Sequence, residues 1–181
     1  MERLLGGYDL VLPKDEGIEF DPEETGRDFA ENSLIKAEAL WNIVHEPVLA
    51  DDSGLCVKAL GWGPGIYTAR YGEKEAGRKL SDKEKYTLLL KNLEGIEDRE
   101  AVFVTSLTLI LSPYRRYMIQ ETCEGSIALQ PSGTTGFGYD PVFRIKEIGM
   151  ISADLKEGEK DLYSHRGKAA RKMRILLEKE V

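Results

Sequence analysis

One long apolar segment near the middle of the chain limits the possible folds more than any other feature. Residues 101–111 (Ala-Val-Phe-Val-Thr-Ser-Leu-Thr-Leu-Ile-Leu) are rich in β-branched and apolar side chains, which favours a long strand. The segment 112–116 predicts a turn into a second strand around 117–123, and residues 126–129 can extend the sheet. We therefore expect an antiparallel hairpin in the middle of a sheet.

Helical patterns occur before and after this hairpin. Capping residues followed by apolar residues three or four positions apart predict helices over 28–45 and 81–95, and a third from about Ser164 to the C-terminus. Short strands are predicted at 8–13 and 47–50, the second of them a buried strand that ends at two aspartates. This combination predicts an α/β protein with a mixed sheet flanked by helices.

Length and charge narrow the class further. The 181 residues suit one well-packed domain, 1–181, and no linker is visible in the sequence. A net charge of −7 argues against a protein that coats nucleic acid, and no apolar run is long enough to cross a membrane. The two cysteines have no metal-ligand spacing and leave a disulfide open. We expect a cytoplasmic protein without nucleic-acid or membrane partners.

The first candidate site segment is Ala50-Asp51-Asp52-Ser53-Gly54. Ligand sites in α/β folds commonly lie where strands end, and successive residues of an extended chain point in opposite directions. Only one of the two aspartates is therefore expected to face a site. The alternative for residues 51–54, Asp-Asp-Ser-Gly, is an Asx-turn. Residues 23–26, Glu-Glu-Thr-Gly, can add a metal-binding carboxylate or can be an acidic surface loop.

The second candidate segment is the loop 132–140, which is rich in hydroxyl groups and glycine. Phe137 lies between Gly136 and Gly138, so its ring can be laid flat against a nucleotide base. The alternative is a core phenylalanine that anchors the loop.

The third segment places His165 and Arg166 in the first turn of the last helix, directly after Ser164. The helix dipole disfavours cations at that end, so an acceptor-rich ligand would explain them. The alternative is a histidine–carboxylate cap with a solvent-facing arginine. Carboxylates for a divalent metal, an aromatic ring for a base and cations for an oxygen-rich group together suggest nucleotide chemistry.

The chain resembles the inosine triphosphate pyrophosphatase family, also called Ham1-like. The segments that carry the resemblance are, in chain order, 24–26, 29–37, 50–55, 64–71, 136–143 and 164–169. The resemblance implies Mg²⁺-dependent hydrolysis of ITP, dITP and XTP to the monophosphate and pyrophosphate, as nucleotide-pool house-cleaning. It also implies an elongated sheet with two lobes around a central cleft, and a homodimer.

The resemblance also implies roles for individual residues. Asp52 matches the catalytic carboxylate and metal ligand, and Glu24 matches the second acidic metal residue. The remaining matches bind substrate: on the triphosphate side Lys36 and Ser53, and around the base Phe137, Gly138, Tyr139, Asp140, Lys160, His165 and Arg166. Donors such as Arg166 suit a 6-oxo purine and leave adenine, which carries an amino group there, badly paired.

The N-terminus departs from the family pattern. Family members usually begin with a strand and a Thr/Ser-x-Asn-x-x-Lys loop that grips the triphosphate, whereas residues 1–6 here resemble the end of the helix that follows. Two expectations follow: either the true start lies upstream of Met1, or the chain is a shortened, catalytically impaired member that still binds nucleotides.

Overall fold

A computed structural model describes residue 1, residues 3–156 and residues 158–180 of the chain. Its five strands are β1 (Val48–Val57), β2 (Gly63–Pro64), β3 (Glu100–Ser112), β4 (Arg115–Ile127) and β5 (Phe143–Ile145). They form one sheet in the order β2-β1-β3-β4-β5, in which β1 pairs antiparallel with β2 and β4 with β5. The predicted long strands, adjacent in the sheet, are confirmed as β3 and β4.

The described helices are α1 (Phe29–Val44), α2 (Glu73–Ala76), α3 (Asp82–Asn92), α4 (Glu159–Tyr163) and α5 (His165–Glu180). The three predicted helices are confirmed as α1, α3 and α5. Asp28 caps α1 by accepting a hydrogen bond from the Glu31 backbone N–H, and Ser81 and Glu84 form a complete capping box on α3. None of the described helices has the length and apolar character needed to cross a membrane.

The chain divides into two compact units. Unit 1 comprises Met1–Asp52, Thr105–Glu121 and Arg166–Val181, and unit 2 comprises Ser53–Val104 and Thr122–His165. The core of unit 1 includes buried side chains of α5 and β3: Leu107, Leu109, Ala169, Ala170, Met173 and Leu177. The core of unit 2 includes Leu55, Leu89, Ile127, Val142, Phe143 and Ile145. Cys56 and Cys123 are not joined in a disulfide.

The strand predicted at 8–13 is wrong. Residues 9–12 have no regular structure, and Pro13–Glu16 form a short 3₁₀ helix. Val11 and Leu12 are more than half exposed, and no described strand pairs with this segment. A strand needs a partner for its backbone hydrogen bonds, and local apolar content alone does not supply one.

The predicted end of the second strand is also wrong, because β1 continues through both aspartates to Val57. The Asx-turn alternative fails for the same reason. Leu55 and Val57 are completely buried in the core that follows the aspartates. Burial of these two side chains outweighs the local turn preference of Asp-Ser-Gly.

Candidate functional site

Three residues of unit 1 form what we call the acidic group: Glu24, Lys36 and Asp52. Lys36, on α1, donates from Nζ to Asp52 Oδ1 at 2.6 Å and to Glu24 Oε1 at 3.0 Å. One ammonium therefore holds together the two carboxylates that were predicted to bind metal, although Glu24 lies in a loop and Asp52 in β1. Lys36, predicted on the triphosphate side, lies between them.

Asp52 is the most buried member of the acidic group, with 8% of its surface exposed. Burial raises the pKa of Asp52 above its ordinary value, although the hydrogen bond from Lys36 acts in the opposite direction. Burial alone would lower the pKa of Lys36, but its bonds to Asp52 and Glu24 raise it. Asp52 Oδ2 is buried and has no hydrogen-bond partner among the described residues.

The acidic group offers oxygen donors of the kind that hard divalent cations prefer. Mg²⁺ typically binds one or two protein carboxylates and completes its shell with water and substrate phosphates. Asp52 Oδ2 is a buried acceptor with spare capacity, and Glu24 adds a second carboxylate. Within the described ranges, no three His, Cys, Asp or Glu side chains are arranged to hold a metal without such outside ligands.

Asp51, next to Asp52 in β1, has a separate set of partners in unit 1. Thr105 donates to Asp51 Oδ1 at 2.6 Å, and Arg166 donates from Nε to Asp51 Oδ2 at 2.8 Å. The prediction that the two aspartates face different ways agrees with these separate partners. The sequence did not predict the Asp51–Arg166 ion pair, because the two residues are far apart in the chain. Strand alternation indicated only that Asp51 faces away from Asp52. Arg166, at the start of α5, is thus held by a carboxylate, contrary to the solvent-facing alternative.

Three residues of unit 2 form what we call the aromatic group: Phe137, Asp140 and Lys160. The Phe137 side chain is 62% exposed, so the alternative of a core phenylalanine is wrong. Lys160 Nζ lies 4.8 Å from the centre of the Phe137 ring, a cation–π contact. Asp140 Oδ2 accepts hydrogen bonds from Lys160 Nζ at 2.5 Å and from the Phe137 backbone N–H at 2.9 Å.

The other oxygen of Asp140 is also occupied. Ser152 donates to Asp140 Oδ1 at 2.8 Å, a partner that the sequence did not reveal. Gly136 has φ +83°, and a Cβ there would lie 2.3 Å from Asp140 Oδ2. Only glycine leaves room for the carboxylate beneath the loop. Asp140, predicted to bind substrate, is therefore seen fixing the loop that presents Phe137.

The other predicted base-loop residues make internal contacts in unit 2. The buried Tyr139 donates from its hydroxyl to the Thr68 carbonyl at 3.1 Å, and burial raises its pKa. The Gly138 N–H donates to Asp82 Oδ2 at 2.7 Å, at the start of α3. These two contacts anchor the loop on the C-terminal side of Phe137.

His165 and Ser53 complete the predicted set. The His165 ring stacks on Phe103, with ring centres 4.9 Å apart and planes 9° from parallel. Both residues line a small cavity of unit 2, to which Asp140, Ser152 and Lys160 also contribute. Ser53 follows Asp52 in β1. The predicted residues thus group as Glu24, Lys36 and Asp52, as Asp51 with Arg166, and as the aromatic group with its neighbouring cavity.

Comparison with known proteins gives consistent matches over most of the chain. The Ham1 family model matches residues 1–176. A dITP/XTP pyrophosphatase of Treponema denticola is 51% identical over 169 residues, covering 93% of this chain and 87% of its own. The dITP/XTP pyrophosphatase of Bacillus subtilis is 40% identical, with coverage of 95% and 86%.

Solved structures agree with these sequence matches. A HAM1 protein from Coxiella burnetii has a TM-score of 0.88 and 33% identity, covering 98% of this chain and 91% of its own. The Staphylococcus aureus Ham1 protein has a TM-score of 0.82 and 37% identity, with coverage of 90% and 83%. The family model, the sequence relatives and the fold thus lead to one conclusion: this chain belongs to the Ham1 family.

Proposed function

We propose that this protein is a nucleoside triphosphate pyrophosphatase that hydrolyses non-standard purine nucleotides such as dITP, XTP and ITP. One observation carries the proposal: in a chain 51% identical to a dITP/XTP pyrophosphatase, a buried aspartate with a spare acceptor oxygen lies beside a second carboxylate. The biological role that follows is removal of damaged purine nucleotides from the nucleotide pool.

The reaction assigns a defined task to Asp52. The oxygen of a water molecule attacks the α-phosphorus, and the bond from that phosphorus to the α–β bridging oxygen breaks. Pyrophosphate leaves with the bonding electron pair, and the water proton passes to a base. Asp52 suits that base, because burial raises the pKa of its carboxyl group.

Glu24 and Asp52 are the residues that would hold Mg²⁺. When bound, the ion would neutralise phosphate charge and favour loss of a proton from water. Lys36 keeps the two carboxylates together against their mutual repulsion. It also supplies a cation for the phosphates, with Ser53 as a further hydroxyl donor.

The residues predicted to bind the base have side-chain chemistry that suits a purine. Phe137 is exposed and backed by Lys160, so one face of its ring can stack on a base. His165 and Arg166 can donate to a 6-oxo group, which hypoxanthine and xanthine carry and adenine lacks. Gly138, Tyr139 and Asp140 fix the loop that presents the ring. The family resemblance further supports one catalytic domain, a homodimer and a cytoplasmic location.

The test is pyrophosphate release from dITP, XTP, ITP and ATP, each with Mg²⁺ and after exhaustive chelation. We expect release from the three non-standard nucleotides, loss of release with chelator and recovery when Mg²⁺ is restored. Activity that survived complete metal removal would contradict the two-carboxylate site. Tight binding of ITP without any release would instead support the catalytically impaired alternative.

A further inference from the structure

Asn32 on α1 is a buried polar residue that belongs to neither the acidic group nor the aromatic group. Its side chain is completely buried, and its Oδ1 accepts a hydrogen bond from the Gly26 backbone N–H at 2.8 Å. This contact determines the orientation of the amide, because only the amide oxygen can accept a hydrogen bond from an N–H group. The nitrogen, Nδ2, therefore points away from Gly26.

Asn32 Nδ2 is buried and has no hydrogen-bond partner among the residues that the structure describes. Asp52 Oδ2 is the complementary case, a buried acceptor in the same condition. Asn32 lies one helical turn before Lys36 on α1, and Lys36 Nζ bonds to Asp52 Oδ1 at 2.6 Å, so the Asn32 amide lies on the helix face that makes the contact with Asp52. A buried donor and a buried acceptor thus lie on the same side of α1, and a buried polar group without a partner is unfavourable.

The contact with Gly26 reaches the other carboxylate of the acidic group. Gly26 lies two residues after Glu24, and a Cβ at Gly26 would lie 2.5 Å from Asn32 Oδ1 and 2.8 Å from the Asn32 backbone nitrogen. The loop therefore lies directly against the start of α1. The next residue adds a second anchor, since the Arg27 backbone N–H donates to Glu31 Oε2 at 2.7 Å.

We infer that Asn32 is a positioning residue that links the loop of Glu24 to the carboxylate of Asp52. Its amide oxygen binds the loop, and its amide nitrogen binds the carboxylate. In the working site, Nδ2 donates to one lone pair of Asp52 Oδ2 and leaves the other for the cation. The spacing between the two carboxylates, and hence the affinity for the cation, then depends on a residue that touches neither metal nor substrate. This inference rests on the proposed metal-dependent function.

The test measures Mn²⁺ binding without nucleotide, from the electron paramagnetic resonance signal of the free ion. Outer residues that orient metal ligands typically change affinity or activity by about 10–100-fold, and we expect that weakening for Asn32→Ala. Excess Mg²⁺ should restore much of its pyrophosphatase activity. Ser33→Ala is the matched control, since Ser33 is equally buried on the same helix but bonds to Thr108 and Ser106. Its Mn²⁺ affinity should equal that of the wild type.

Gly26→Ala tests the same contact from the loop side, because a Cβ there would push the loop away from Asn32, and it decides the matter if Asn32→Ala fails to fold. It should weaken Mn²⁺ binding by displacing Glu24. The inference is overturned if the folded Asn32→Ala protein binds Mn²⁺ as tightly as the wild type, or if Gly26→Ala does so when only that variant folds. In that case the proposed metal site still stands if Asp52→Asn abolishes Mn²⁺ binding. Unchanged binding in Asp52→Asn as well would instead reject the metal site itself.

Discussion

Two aspartates, one in each unit, each bind a lysine but differ in how many of their carboxylate oxygens have a hydrogen-bond partner. Asp52 accepts from Lys36 through Oδ1, while its buried Oδ2 has no partner among the described residues. Asp140 accepts from Ser152 through Oδ1 and from Lys160 and the Phe137 backbone through Oδ2. Both carboxylates are buried, with 8% and 5% of their residues exposed.

The difference separates a carboxylate suited to chemistry from one suited to support. A buried oxygen without a partner is costly, so its persistence is best explained by a ligand that completes it. A carboxylate with both oxygens occupied has little capacity for a ligand and instead fixes the groups that donate to it. Asp52 fits the first description and Asp140 the second.

The same substitution should reduce turnover far more at Asp52 than at Asp140, and this difference is the largest expected effect. Asp52→Asn should lose about 10²–10⁴-fold in turnover, because an amide cannot take the proton of the attacking water. Asp140→Asn should stay within about tenfold of wild type, because the amide can still accept from Lys160 and donate to Ser152. Steady-state pyrophosphate release from dITP measures both.

Asp51→Asn is the matched control for that pair. It keeps a hydrogen-bonding group beside Thr105 and Arg166, and it should cost much less turnover than Asp52→Asn. If Asp51→Asn lost turnover while Asp52→Asn kept it, the catalytic aspartate would have been assigned wrongly.

Asp140→Ala should reveal the supporting role through stability. The substitution removes the acceptor from three donors, on Phe137, Ser152 and Lys160. Ser152 is buried, and a buried donor left without a partner costs about 1–3 kcal/mol, so we expect a clear fall in the free energy of unfolding and a raised KM. Chemical denaturation with Asp140→Asn as the control measures it; equal stability of the two variants would mean that the loop does not depend on this carboxylate.

Phe137→Ala should weaken all purine triphosphates by a similar factor. Stacking on an aromatic ring is worth about 1–3 kcal/mol per base and does not depend on the exocyclic group. Comparison of kcat/KM for dITP, XTP and ATP measures the effect. Tyr114→Ala is the control, since that aromatic is 98% exposed at a turn of unit 1; an equal loss in both variants would argue against stacking at Phe137.

Arg166→Ala should have the smallest effect and should change selectivity. If Arg166 donates to the 6-oxo group, only ITP and XTP lose a partner, and the ITP-to-ATP ratio of kcat/KM should fall about tenfold, or about 1.4 kcal/mol. Since Arg166 also pairs with Asp51, Asp51→Asn reports the contribution of that ion pair alone. An unchanged ratio with all substrates weakened alike would place Arg166 on the phosphates.

Local sequence patterns predicted the elements that depend on local interactions. The helices α1 and α3 begin where their capping residues predicted, because a cap acts within one turn. The strand at 8–13 and the end of β1 at the aspartates were predicted wrongly, because strands depend on distant partners. Glycine spacing showed that Phe137 was unusual, but its exposure could only be seen in three dimensions.

By itself, the sequence determined the α/β class, the helices and the segments that carry polar and aromatic site residues, since periodicity, capping and motif resemblance are properties of neighbouring residues. Only the tertiary structure decided which groups share a partner. Lys36 joins Glu24 to Asp52, Arg166 pairs with Asp51, and Asp140 has partners for both oxygens within unit 2. These pairings follow from burial, which requires each polar atom to find a partner wherever the fold brings one.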